Sequence, residues 1–305
     1  MPLQLVPLKT TVISPAPRQI RFQFLCASVM MGVIMVSIIQ VPSARRFMPS
    51  LTLRALIGCV LLAFFLCAGA GELVRAASFS ARAETAFTEA QRKVRQQPSN
   101  TLALVELART AFEWAEFSRR DEDRADLAQR GQDAARLALT REETNAAAHY
   151  WLGMNLGQMA RTKSLGALKL VREMESEFLR AISLDEHLAY AGPNRTLGIL
   201  YRDAPGWPTS IGSTKKARQH LERAVQLHPE FPENQLGLLE SFEQWGNKQD
   251  FARQLKAAEK TLTESRAKFS GPDWEASWAD WEKQFAALLA KAGVVGKLTP
   301  SKGAR

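Results

Sequence analysis

Residues 194–229 constrain the fold of this chain more than any other stretch. Its first half places Leu197 and Gly198 just before Tyr201, so that all three lie near one helical face. Its second half repeats small and large apolar residues at helical spacing and closes on a proline, with Ala217, Leu221, Ala224 and Pro229. Small residues let two helix backbones approach, large ones fill the seam, and proline ends a helix. The stretch therefore predicts two antiparallel helices packed along one seam.

The same pattern recurs along the chain, at the 34-residue period of tetratricopeptide (TPR) repeats between Ala217 and Phe251 and at longer offsets between the Leu-Gly pairs, so the repeats are atypical. Leu-Gly pairs begin at Leu152, Leu197 and Leu236, and Phe251 follows Ala217 at the repeat period. Residues 78–292 are therefore predicted to form an all-α, TPR-like right-handed solenoid of about four helical hairpins. An extra helix precedes the hairpins in this prediction.

A C-terminal helix is predicted to cap the solenoid. Large apolar side chains recur there at helical spacing, and a solenoid must cover its last open face. These side chains are Trp274, Trp278, Trp281, Phe285 and Leu288. Residues 293–305 are predicted to be a disordered basic tail.

The N-terminal residues contain two apolar runs, roughly 25–41 and 55–70. The second run follows Arg54 and ends in small residues, as a secretory signal peptide does. One interpretation makes 48–77 the signal peptide and 1–47 an over-long gene assignment. The alternative keeps both runs as membrane segments, with 48–77 as an anchor and 1–47 as the first segment. Either interpretation predicts that the folded part of the chain is periplasmic or exported. In the second interpretation, the N-terminal segments anchor it in the inner membrane.

The charge of the chain is concentrated at its N-terminus. The formal net charge is +9, yet residues 1–70 carry six basic and no acidic side chains, which leaves 34 basic and 31 acidic residues in the remainder. A nearly balanced body lacks the basic surface that nucleic-acid binding requires. We therefore predict no nucleic-acid partner, and membrane contact only through the N-terminal segments.

Catalytic and metal-binding patterns are missing from the sequence. The four histidines show no helical zinc-site spacing, and the chain has neither a G-x-S-x-G elbow nor a phosphate-binding loop. The three cysteines lie in the N-terminal apolar runs. We predict a protein that is not an enzyme and that holds no metal and no cofactor.

The candidate binding residues follow from TPR geometry, in which the first helix of each hairpin lines the concave surface. This register predicts an exposed apolar groove with two guanidinium groups, which suits a protein, a peptide or a small apolar ligand that carries a carboxylate. The alternative pairs these arginines with Asp203 or with carboxylates of neighbouring helices. The candidates are Tyr150, Trp151, Met154, Arg195, Ile199, Arg202, Leu238 and Phe242. Trp207, in the loop APGWP, either packs on the solenoid or contacts a ligand.

The sequences AYAGPNRTLGILYRDAPGWP and GSTKKARQHLERAVQLHPEFPENQLGLLES carry a family resemblance over residues 146–260. This region resembles the TatT-like TPR proteins, periplasmic helper components found with tripartite ATP-independent periplasmic (TRAP) transporters. The resemblance implies an all-helical exported protein, sometimes trimeric, with a cavity for a ligand or partner segment. A homo-oligomer and a transporter-associated role are therefore open expectations.

Two functions remain after sequence analysis. The first is an exported scaffold that binds a partner in its concave groove, as a TRAP-associated helper if the resemblance extends that far. The alternative is an inner-membrane-anchored assembly factor that recruits partners through the solenoid.

Overall fold

A computed structural model of the chain describes residues 78–163 and 166–298, with side chains up to residue 293. The expectations for 1–47, for 48–77 and for the end of the basic tail lie outside these residues. Within the described residues, no helix is both long and apolar enough to cross a bilayer. Residues from Ala83 onward belong to one compact unit.

The described chain is helical, and its helices alternate with short connections. The helices are α1 (78–96), α2 (Thr101–Ala115), α3 (Asp121–Leu139), α4 (Ala146–Arg161), α5 (Ala167–Leu184), α6 (Leu188–Asp203), α7 (Thr214–Leu227), α8 (Pro232–Gln244), α9 (Lys248–Glu264) and α10 (Glu275–Leu298). A single 3₁₀ turn, Pro272–Trp274, precedes α10.

Antiparallel pairing of successive helices forms the predicted hairpins. Helix α2 packs on α3, α4 on α5, α6 on α7, and α8 on α9, and each hairpin then contacts the next. The first helices of successive hairpins, α2, α4, α6 and α8, also contact one another, and we call them the inner helices. The all-α, TPR-like solenoid predicted from the sequence is confirmed.

Glycines lie where the two helices of a hairpin cross. A Cβ added to Gly198 would stand 2.7 Å from Leu221 Cγ and 3.1 Å from the Ala217 carbonyl oxygen. A Cβ added to Gly153 would likewise stand 2.5 Å from Cε1 of the Phe178 ring. The glycines of the Leu-Gly pairs that begin at Leu152 and Leu197 thus lie against the second helix of their hairpin, where a larger side chain would overpack the seam.

Helix α10 covers the end of the solenoid, as predicted. It packs against α8 and α9, and Trp278 and Trp281 of its apolar stripe are buried. The Trp281 ring meets the Phe231 ring edge-on, with 5.5 Å between centroids, and the Trp278 indole N–H donates to the Phe269 carbonyl oxygen. The helix runs to Leu298, past the end expected at residue 292, so the first tail residues continue the capping helix.

Candidate partner-binding surface

The residues predicted to line an open groove lie in the protein interior. Their side chains are at most 4 % exposed, so the expectation of an exposed groove floor is wrong. One cause is that successive inner helices pack closely and pair their polar groups with each other. The residues concerned are Tyr150, Trp151 and Met154 on α4, Arg195, Ile199 and Arg202 on α6, and Leu238 and Phe242 on α8.

The aromatic candidates fill seams between helices. Trp151 packs between Phe112 of α2 and Tyr150, with ring centroids 5.9 and 5.0 Å away. Tyr150 also approaches Phe178 of α5, and its burial raises the pKa of its phenol to about 12. These rings therefore join two hairpins and leave no aromatic floor for a ligand.

The guanidinium of Arg195 is 1 % exposed and is bound to the next inner helix. Its Nη1 donates to Asn234 Oδ1 at 2.8 Å, and its Nη2 lies 3.4 Å from Glu233 Oε2. The guanidinium also stands 5.3 Å from the centroid of the Phe231 ring. The alternative in which this arginine pairs with a carboxylate of a neighbouring helix is the arrangement observed.

Glu233 occupies an apolar environment that disfavours its charge. Its burial raises the pKa of its carboxyl group to about 7, and the nearby Arg195 opposes that rise only in part. Burial and the Arg195 guanidinium therefore act in opposite directions on the charge of Glu233.

The guanidinium of Arg202 also binds groups of the protein itself. Its Nε donates to Asp203 Oδ1 at 2.6 Å, and its Nη1 lies 3.2 Å from both Glu240 Oε2 and Ser241 Oγ. Glu240 and Ser241 belong to α8, so a second arginine of α6 is bound to the next inner helix. Neither guanidinium is free to receive a partner's carboxylate.

An unusual backbone turn opens α6. Ala189, Tyr190 and Ala191 have φ values of 49°, 57° and 59°, a left-handed conformation that costs roughly 1–2 kcal/mol for each residue with a Cβ. Long-range contacts hold this turn. Asn234 Nδ2 donates to the Tyr190 carbonyl oxygen at 3.1 Å, and the Tyr190 ring stacks on Phe231 with 4.6 Å between centroids.

Trp207 contrasts with the other candidates because it is 88 % exposed, the highest value among large apolar side chains of the described residues. It lies in the loop of residues 204–213 between α6 and α7, which we call the Trp207 loop. The alternative in which this ring packs on the solenoid is wrong. The ring projects into solvent.

The backbone of the Trp207 loop is nevertheless ordered by its own hydrogen bonds. The Gly212 amide donates to the Pro205 carbonyl oxygen at 2.9 Å, and the Ser213 amide donates to the Tyr201 carbonyl oxygen at 2.8 Å. A Cβ on Gly212 would stand only 2.0 Å from the Ala204 carbonyl oxygen, so the crossing of the loop's two arms requires glycine. The loop therefore holds Trp207 outward on a closed backbone frame.

Two histidines that are distant in the sequence meet in the structure. His187 Nδ1 lies 3.3 Å from His228 Nε2, although the two residues are 41 positions apart. The contact joins the start of α6 to the end of α7 within one hairpin, and no helical spacing indicates it because the Trp207 loop lengthens the connection between these helices. Among the described residues, no group of three or more His, Cys, Asp or Glu side chains is arranged to hold a metal ion.

Comparison with solved structures identifies a TPR protein of similar fold. The chain matches TTC0263, a thermophilic TPR protein of Thermus thermophilus, with a TM-score of 0.52 and 17 % identity over 69 % of this chain and 92 % of that one. The fold is TPR-like. A structure of MamA matches with a TM-score of 0.42 and 18 % identity over 60 % of this chain and 90 % of that one.

A family model described as "RMD1-3: Regulator of microtubule dynamics protein 1-3" matches residues 70–191, which is less than half of the chain. The matched residues end inside the left-handed turn, before the Trp207 loop. No curated protein matches the chain.

Proposed function

We propose that this protein is a non-catalytic TPR-like scaffold that binds a partner protein through the Trp207 loop, with Trp207 as the main anchor. The observation that carries this proposal is the 88 % exposure of Trp207 on an ordered loop. The eight other candidate side chains are interior, and their role is to hold the inner helices together.

The physical chemistry of tryptophan supports an anchoring role. Trp is enriched among the few residues that carry most of the energy of protein interfaces, and its truncation there costs about 2 kcal/mol or more. A ring held outward by a hydrogen-bonded loop loses little conformational freedom on binding. We expect the partner to carry an apolar pocket, because such a pocket would bury the exposed indole ring.

The helix after the loop adds information about the partner. Lys215 and Lys216 are exposed in the first turn of α7, and the Lys216 ammonium lies 3.6 Å from Glu175 Oε1 and 4.7 Å from the centroid of the Tyr201 ring. Acidic residues around the partner's pocket would complement the Lys215 ammonium. Acidic residues around the pocket would accelerate association and would make the association rate depend on salt.

The test places a photo-crosslinking amino acid at position 207 in cells and, as a matched control, at the exposed position of Leu179 on α5. We expect one protein to be crosslinked from position 207 and not from position 179. The affinity of that purified partner should then fall about 30-fold for Trp207→Ala, the equivalent of 2 kcal/mol. Leu179→Ala should bind like the wild type.

Three outcomes would overturn the proposal. Equal affinities of the Trp207→Ala and Leu179→Ala variants would move the partner to another surface. Loss of lipid-vesicle binding in Trp207→Ala, without a crosslinked protein, would assign the ring to a membrane interface. A crosslink to a second copy of this chain, with a mass that falls to the monomer in Trp207→Ala, would assign the loop to self-association.

Export and transporter association extend this proposal. The apolar run of 55–70 and its small-residue end support export, and sequencing of the mature N-terminus tests it, because cleavage near Gly71 would indicate release and an intact N-terminus an anchor. The TatT-like resemblance supports a TRAP-associated helper. That role requires the crosslinked partner to be a transporter component, and any other partner would exclude it.

A further inference from the structure

We propose that His187 and His228 together bind one divalent transition-metal ion of the Zn²⁺, Ni²⁺ and Cu²⁺ class. This site is separate from the partner-binding function proposed above. His187 stands at the N-terminal cap of α6 and His228 at the C-terminal cap of α7, so a bound ion would connect the ends of two helices.

The distance between the two imidazole nitrogens fits a shared ion. His187 Nδ1 and His228 Nε2 are 3.3 Å apart, and their rings are nearly perpendicular at 87°. Two nitrogens that each lie about 2.1 Å from a tetrahedral Zn²⁺ are about 3.4 Å apart. Small ring rotations would therefore point both lone pairs at one ion without any movement of the helices.

A carboxylate supports His228 from its other side. Glu230 Oε1 lies 3.5 Å from His228 Nδ1, and Lys268 Nζ binds the same oxygen at 2.9 Å. A carboxylate that Lys268 holds beside Nδ1 favours the tautomer with a proton on Nδ1, which leaves Nε2 as a free lone pair.

Metal binding then requires one proton rearrangement. With His228 Nε2 as the acceptor, His187 Nδ1 donates the hydrogen bond in the metal-free pair. The ion replaces that proton, which moves through solvent to Nε2 of the exposed His187 ring. The proton thus moves between the two nitrogens of the His187 ring while the ion binds.

The number and type of the protein ligands determine how tightly the site binds an ion and which ions it prefers. The described residues supply two imidazoles and no third side chain of suitable geometry, so water completes the coordination. Imidazole nitrogen prefers Zn²⁺, Ni²⁺ and Cu²⁺ over Mg²⁺ and Ca²⁺. We expect a labile ion that is lost during purification and regained when metal is added.

The experiment uses the full chain without a polyhistidine tag, stripped with a chelator and titrated with Zn²⁺ against a fluorescent zinc indicator. One ion should bind per chain. His187→Ala and His228→Ala should each raise the Kd at least tenfold, and Glu230→Gln, which retains both ligands, should raise it about tenfold. His220→Asn is the matched control, because His220 faces Asn194 and lies outside the pair.

A spectroscopic measurement identifies the ligands directly. Bound Cu²⁺ should show coupling to two imidazole nitrogens in electron paramagnetic resonance, and to one in either alanine variant. The proposal is overturned if both alanine variants bind like His220→Asn, or if Mg²⁺ competes with Zn²⁺ at equal concentration. Circular dichroism confirms that each variant is folded.

Discussion

Arg195 Nη1 donates a 2.8 Å hydrogen bond to Asn234 Oδ1, and this contact joins the inner helices of two successive hairpins. Asn234 extends the connection, since its Nδ2 group lies within hydrogen-bonding distance of the carbonyl oxygens of Tyr190, Ala224 and His228. The amide thereby contacts the left-handed turn and the end of α7. Arg195 is thus part of the frame of the solenoid.

We predict that Arg195→Ala destabilises the fold by about 3 kcal/mol or more, because it leaves Asn234 and Glu233 buried without their partner. The melting temperature should fall by roughly 10 °C for a domain of this size. Arg253→Ala serves as the control, because the Arg253 side chain is 71 % exposed and its loss should change little. Similar melting temperatures for the two variants would contradict the assigned role of Arg195.

The raised pKa of Glu233 predicts a pH dependence of stability. The folded-state pKa of about 7 lies above the ordinary value of 4.5, so the folded protein retains a proton that the unfolded chain releases between these values. The contribution of Glu233 to stability is therefore fully present below about pH 4.5 and declines as the pH rises toward 7.

Glu233→Gln isolates this effect, since glutamine resembles the protonated acid at every pH. The difference in unfolding free energy between variant and wild type should shift in favour of the variant between pH 5 and pH 8. Urea denaturation at both pH values measures it. A shift in favour of the wild type would mean that Arg195 holds Glu233 ionised and lowers its pKa.

Overpacking of a helix crossing should destabilise the third hairpin. Gly198→Leu would push a side chain into Leu221, and Ala224→Phe would enlarge a side chain that is fully buried. Each change should cost about 1–3 kcal/mol or more. The matched control is Ala252→Phe at an exposed position of α9, which should leave the melting temperature nearly unchanged. Unchanged melting in both test variants would show that the two helices cross elsewhere.

Gly131 provides a test in which packing opposes helix propensity. Replacement of glycine by alanine inside a helix normally stabilises it by up to about 1 kcal/mol. A Cβ at Gly131 would, however, stand 2.2 Å from Asn155 Oδ1, and Asn155 Nδ2 donates to the Ala108 carbonyl oxygen at 2.8 Å. We therefore predict that Gly131→Ala destabilises the protein.

Gly293→Ala on α10 is the control for that change, because its Cβ would meet nothing within 4 Å. This variant should be neutral or slightly more stable than the wild type by thermal denaturation. Stabilisation by both alanines would show that Asn155 moves aside without cost.

The positions of the helices could be predicted because they depend on local patterns. Asparagine is a preferred residue at the N-terminal cap of a helix, and Asn100 Oδ1 accepts a hydrogen bond from the Ala103 amide at 3.2 Å at the start of α2. Likewise, the glycine of the Leu-Gly pair that begins at Leu197 lies at a helix crossing. Such features need only residues within one turn or one hairpin, which the sequence places at fixed spacing.

Local patterns could not predict whether the groove residues are exposed to solvent. Repeat register indicates which side chains face inward, but exposure depends on how closely successive hairpins pack. Arg202 illustrates this, because its partner Glu240 belongs to the next hairpin and lies 38 positions away. Inward-facing side chains that bind a residue of the next hairpin are buried between the two hairpins.

The sequence by itself determined the all-α hairpin architecture, the glycine crossings and the capping helix, since each follows from helical periodicity and side-chain size. The tertiary structure alone decided that Arg195 is buried, that Trp207 is exposed, and that His187 meets His228. The histidine contact forms where one hairpin closes across the long Trp207 loop, whereas the burial of Arg195 arises from the stacking of whole hairpins. In both cases residues tens of positions apart become neighbours. A local pattern does not specify that stacking.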